Sequence, residues 1–382
     1  MAVFALQPLA LGAWLALIPQ IKAALGLSKA ELAFALLGQP IAIIPGLQIA
    51  SRAMNVVGPR RILAMGFLMQ PLVYVLPINA TGQGSLFLSL MVVGLVGAFM
   101  QVCLNVYAGR LEKQLQVTVM SRCHGFWALG LMAGSFFVVW LAGLGILASI
   151  LIITTAAAVL GAAIALLLPR LAGEDRSAKP PARRKLRELP LALVYISLFV
   201  MAVAMAEGAM SDWLAIYLAE RLPEGAAYAG IAVSIFAGFL ALGRLIGDSL
   251  KRGLGAVRLA RTTLGLAVIG LGMMILPLPL IFAYGGFAFM GLGLSVGFPL
   301  GVSAVASLDD IYEASNIAIM SSVARRIVFA GNRACGAITR ADLRVLAVRG
   351  AETCLIWRAL YLWVQGCSGE KSRCGSSRVT HT

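Results

Sequence analysis

The chain has 382 residues, of which 60% are hydrophobic and 12% charged, with a mean hydropathy of +0.91. A water-soluble domain of ordinary make-up is about 45–50% apolar and about 25% charged, so this composition excludes a soluble enzyme and a disordered chain. Six cysteines without a CxxC pair exclude a disulfide scaffold.

A helix that crosses a bilayer needs about 20 predominantly apolar residues, and the sequence offers ten such stretches up to about Leu308. They run from Met1 to Pro19, Ala30 to Ala50, Ile62 to Ile78, Ser85 to Tyr107, Phe126 to Leu144, Ile146 to Leu168, Leu191 to Leu218, Tyr228 to Ile246, Thr262 to Ile281 and Phe282 to Leu308. Gly38, Pro40, Pro45, Pro71 and Pro299 fall inside them and read as kinks, which bundles in lipid tolerate because neighbours re-satisfy freed backbone groups. The first stretch has no basic region before it and ends at Pro19, Gln20 and Ile21 without a small-residue cleavage site, so it reads as a span rather than a signal peptide.

Lysine and arginine are distributed unequally between alternate loops. One set carries Arg52, Arg60 and Arg61, then Arg110, Lys113 and Arg122, seven residues between Arg170 and Arg187, and Arg244, Lys251, Arg252, Arg258 and Arg261, which makes 18. The other set carries only Lys22, Lys29 and Arg221. Positively charged loops stay cytoplasmic, so the N-terminus is expected on the cytoplasmic side of the inner membrane. This placement accounts for most of the positive charge outside the C-terminal tail without any nucleic acid partner. The polar stretch from Arg170 to Pro190 reads as a cytoplasmic linker between residues 1–169 and residues 191–324.

The halves repeat at a nearly constant offset. Trp14 returns as Trp213, Gly58 as Gly255, each in a basic loop, and Gly94 as Gly291, at offsets of 199, 197 and 197 residues. Two parallel bundles on either side of a linker are a common transporter build, with solute bound between them.

Gly58, Arg60 and Arg61 match the end of the loop motif found after the second span in the major facilitator superfamily, while Ser51 and Asn55 stand where Gly and Asp are expected. A second copy, Gly243 and Arg244 through Gly247 and Asp248 to Gly255 and Arg258, keeps the acid. The chain thus resembles that family over about Met1 to Ser322. Asn105 with Ser121, His124, Gly125, Phe126, Gly130 and Gly134 is similar to the branch around fucose permease. The resemblance implies an all-α polytopic membrane protein, a major facilitator fold of two six-helix bundles, here with the second bundle incomplete at ten to eleven spans. It also implies a monomeric secondary-active transporter of a small polar solute, a sugar being one class, with protons as a further partner. Basic side chains in such loops can pair with an acid and with the negative end of a helix dipole; simple anchoring accounts for Arg60 and Arg61 equally well.

Acids at membrane depth mark pathways, and Glu207 and Asp212 qualify. Counted at 1.5 Å per residue from Leu191, Glu207 falls in the outer half of its span and is the candidate for proton coupling or solute binding. Asp212, nearer the surface, reads as an outer-gate or interfacial residue. Five positions place them about 140° apart, which argues against a shared proton. Gln101 and Asn105 share a helix face at i, i+4 and could bind hydroxyls; in fucose permease-like relatives the Gln101 position is acidic, so a neutral residue there weakens proton coupling through the first half. Gln7 and Trp14 are cavity candidates in the first span. His124, beside Arg122, reads as a gate or capping residue, and Arg244 and Asp248 as gate residues in the second loop motif. Trp127 could stack on a sugar, whereas Trp213 reads as an interfacial belt residue. Glycine-rich helices such as the one holding Gly291, Gly293 and Gly297 permit close packing.

Asp309, Asp310 and Glu313 resemble one acidic cluster of a membrane prenyltransferase, but that chemistry needs a second cluster, so no enzyme, cofactor or metal is expected. From Arg325 to Thr382 the sequence holds ten of the 31 basic residues and four of the six cysteines, with no apolar stretch of 20. A damaged or frame-shifted terminus is the first reading of this region and a genuine basic tail the second. Cys335, Cys354, Cys367, Cys374 and His381 lack zinc-like pairing. The alternative function is a non-transporting membrane receptor or an inactive transporter remnant.

Overall fold

The computed structural model describes residues 1–115, 119–169, 190–222, 228–306 and 308. All lie within one compact unit, Met1–Gly336, and a second unit, Ala337–Thr382, falls outside the described residues. Outside them too are most of the linker, the side chains of Ser51 and Asn55, the acids Asp309, Asp310 and Glu313, and the basic tail with its cysteines and His381.

Among the described residues every regular element is helical: α1 (Ala2–Leu6), α2 (Leu9–Ala24), α3 (Lys29–Leu36), α4 (Gly38–Val57), α5 (Pro59–Ile78), α6 (Gln83–Leu115), α7 (Met120–Trp140), α8 (Ile146–Leu167), α9 (Leu191–Ala219), α10 (Gly230–Leu254), α11 (Ala256–Ile275), α12 (Leu280–Ser295) and α13 (Gly297–Ala306). Taken with their breaks, these make ten candidate membrane spans among the described residues. Apolar side chains cover the outside as well as the inside: Val56, Leu72, Leu88, Trp140, Leu167 and Ile281 are all exposed. A helix that is apolar all round needs lipid or protein on every face, and only in a bilayer is such a surface stable.

Proline acts in two ways. Pro19, Pro45 and Pro71 sit inside continuous helices. Pro40 and Pro299 stand at the third position of α4 and α13, just after a break. A first-turn residue has no intrahelical use for its N–H, so proline is accepted there while it prevents the preceding helix from continuing.

Several boundaries differ from the sequence expectation. α7 starts six residues before Phe126 and α10 runs eight residues past Ile246, because Arg and Lys are good helix formers whose stems can lie along apolar surface. α11 stops at Ile275 rather than Ile281; Pro277 disfavours helical backbone before it, and Leu276 is extended (φ −67°, ψ 149°).

The repeat recurs in the geometry. Gly58 turns α4 into α5 at φ 86°, ψ 148°, and Gly255 turns α10 into α11 at φ 77°, ψ 157°. Both are left-handed conformations that glycine adopts without a side-chain penalty. A Cβ on Gly94 would collide with the carbonyl of Gln39, and one on Gly291 with the carbonyl of Phe236, again 197 residues apart on both sides of the contact.

The two halves of the chain are joined along α7 and α10. From the basic end outward, the Ser121 hydroxyl donates to the Arg244 carbonyl (3.3 Å), Gly125 abuts Leu245, Gly238 abuts Met132, and the Ser135 and Ser234 hydroxyls bond at 2.8 Å.

Candidate translocation cavity

Between α2, the α3–α4 junction and α7 on one side and α9 on the other lies a cavity of about 280 Å³. Its wall is largely aliphatic, with Leu11, Leu15, Leu36, Pro40, Ile43 and Leu131 facing Met205, Gly208 and Ala209. Four polar residues interrupt it: Gln39, Trp127, Ser211 and Asp212. The Trp127 indole N–H donates to Gln7 Oε1 (2.8 Å), and the Ser211 hydroxyl donates to the Glu207 carbonyl (2.8 Å). The Asp212 carboxylate has no hydrogen-bond or salt-bridge partner among the described residues.

Two ion pairs flank this cavity. Glu207 is not an isolated acid, as its sequence context suggests; Arg244 of α10 donates to both of its carboxylate oxygens at 2.8 Å. Arg244 itself is not a loop residue. Its side chain is 7% exposed, within α10, so it leaves the basic-loop inventory and serves as the counter-charge that lets Glu207 remain in the span. At the end of the helices opposite the basic loops, Lys29 of α3 meets Glu220, the C-cap of α9, at 2.8 Å. That pair links two residues 191 positions apart in different halves of the chain. Ser28 fixes the start of α3: its hydroxyl accepts from the Glu31 N–H while its own N–H donates to Glu31, a reciprocal cap.

A family model described as the Major Facilitator Superfamily matches residues 1–330. The chain belongs to the major facilitator superfamily. This major facilitator chain is 26% identical over 338 residues to an uncharacterized MFS-type transporter of Yersinia pestis, covering 88% of the chain and 87% of that protein. It is 26% identical over 322 residues to the membrane protein MosC of Rhizobium meliloti, covering 83% and 77% respectively. Among solved structures, the nucleoside transporter NupG superposes with a TM-score of 0.69 at 12% identity over 95% of this chain and 97% of that one. A D-xylose–proton symporter gives 0.66 at 13% over 96% and 94%. The molecule is therefore a polytopic membrane transporter of the facilitator type; its family and relatives are transporters, not enzymes.

Placed on this facilitator fold, the residues singled out in the sequence separate. Gln7 is buried and supports Trp127 from behind; its carbonyl also accepts from the Gln70 amide (2.9 Å). Trp14 is 1% exposed, in the core rather than on the cavity wall, and its indole N–H has no partner. Gln101 is exposed and Asn105 half-buried, and neither lines the cavity. Trp213 is half-buried and packs against the core. At the basic end, Asp248 is exposed beside Arg244 and Lys251 in a small cleft that Ser121 and Ser303 also line. His124 meets Phe4 edge to face, with centroids 6.1 Å apart. Arg60 is half-buried with an unpartnered Nε, and Arg61 is exposed. Sequence reasoning passed over Gln39 and the Lys29–Glu220 pair. A polar residue beside Pro40 within an apolar run was a usable signal for Gln39; nothing local connects Lys29 to Glu220.

Proposed function

We propose that this protein is a monomeric secondary-active transporter of the inner membrane, with its N-terminus in the cytoplasm, that carries a small polar solute by alternating access. Residues 1–169 and 191–324 act as the two moving bundles and residues 170–190 as their cytoplasmic linker. One observation carries the reading: the central cavity is walled by helices from both halves, so rocking one half against the other exposes it to either side. The Lys29–Glu220 contact between halves, opposite the basic loops, supports a closed outer side. Relatives in fold include a nucleoside transporter and a D-xylose–proton symporter, which favours solutes of that size.

Glu207 is the proton-coupling group. Protonation removes its charge and ends the ion pair with Arg244, the α10 residue whose carbonyl accepts from Ser121 of the first half, so the change reaches the seam between the two bundles. The test is uptake into vesicles containing the purified protein, with D-xylose, uridine and amines offered as labelled solutes under an imposed proton gradient. Glu207→Gln is expected to abolish gradient-driven uptake and to spare solute exchange. Equal uptake by variant and parent between about pH 5 and pH 8 removes Glu207 from the mechanism. Binding without translocation of any solute would instead favour a receptor.

A further inference from the structure

The acids that could serve the solute path differ in one respect. Glu207 is neutralised by Arg244, and Glu220 by Lys29. Among the described residues Asp212, on the cavity wall, is neutralised by nothing, and no Lys, Arg or His lines the cavity. The neighbouring polar groups are already engaged: the Trp127 N–H is held by Gln7 and the Ser211 hydroxyl by the Glu207 carbonyl. That leaves the Asp212 carboxylate and the Gln39 amide as the open polar groups of an otherwise apolar chamber.

A neutral polyol needs many convergent donors and acceptors, because each unmatched hydroxyl loses its water on entry. Among the described residues this wall offers only Asp212 and Gln39 as open partners. An unpaired carboxylate in apolar surroundings favours a counter-charge strongly, and an indole on the same wall stabilises a cation by its ring quadrupole. From this arrangement we propose that the solute class of the cavity is an amphipathic organic monocation, an ammonium or quaternary ammonium compound whose charged head meets Asp212 and whose apolar body lies against Leu15, Ile43 and Leu131. The inference rests on the transporter reading above and narrows its substrate class.

The test uses the full chain, purified and reconstituted, with labelled benzyltrimethylammonium and choline as the probes, permanent cations that do not leak as neutral amines, and with D-xylose and uridine as neutral solutes. Saturable binding and vesicle uptake of a cation are expected. Asp212→Asn is expected to weaken binding by about 30-fold or more, and Asp212→Glu, which keeps the charge, to restore most of it. Both variants are first shown to elute as the parent does on size exclusion. If Asp212→Asn binds the cations as tightly as the parent, the proposal is overturned. If D-xylose or uridine is transported and neither cation competes, the cation class is overturned while the transporter reading stands. If nothing binds and nothing moves, both fail.

Discussion

Arg244 donates to both carboxylate oxygens of Glu207 at 2.8 Å, and this pair fastens α9 to α10 inside the span. Arg244→Ala leaves an unpaired carboxylate on a side chain that is 21% exposed, so the loss should fall at or below the low end of the about 3–5 kcal/mol that removing one partner of a fully buried pair costs. The double variant Glu207→Gln with Arg244→Gln should recover much of that loss, since two neutral amides can bond to each other. Unfolding midpoints of the parent, Glu207→Gln, Arg244→Gln and the double variant in one detergent measure the coupling; an Arg244→Ala protein as stable as the parent would remove the pair from the stability of the fold.

Lys29 and Glu220 are nearly half exposed, at 42% and 46% of their side chains, so breaking their contact should cost under about 1 kcal/mol. Its expected effect is on access. In a background without the native cysteines, Lys29→Cys with Glu220→Cys, joined by a reducible bifunctional thiol cross-linker long enough to replace the two side chains, should stop transport and release it on reduction. Full transport by the cross-linked form would show that the halves do not separate there.

The glycine contacts make a paired prediction. Gly94→Ala and Gly291→Ala both push a methyl into a backbone carbonyl that cannot swing aside, and overpacking of this kind typically costs about 1–3 kcal/mol. A Cβ at Gly97, one turn further along α6, has open space around it, so Gly97→Ala should be neutral or slightly stabilising. Thermal midpoints should separate the first two from the third.

Gly58 and Gly255 carry positive φ at matched turns. Alanine at either should cost about 1–3 kcal/mol, by similar amounts, because the two turns share one geometry. A loss at only one position would mean that the repeat no longer bears the same strain in both copies.

Much of this molecule could be read locally. In lipid each spanning segment must satisfy its own backbone hydrogen bonds, so each span announces itself as an apolar run, and the ten runs counted in the sequence return as ten candidate spans among the described residues. The spacing of Gly58 and Gly94 from their counterparts was legible for a related reason: a positive-φ turn or a helix pair in backbone contact admits glycine and little else, so the residue survives in both copies. What the sequence could not assign was the partner of each charge. Glu207 and Asp212 lie five residues apart on one helix, about 140° around its axis, and the rotation of α9 decides which of them faces Arg244 and which faces the cavity. That rotation is set by packing against α2, α10 and α13, contacts between residues distant in the chain, and for that reason only the tertiary structure shows that Glu207 is paired and Asp212 is the open acid.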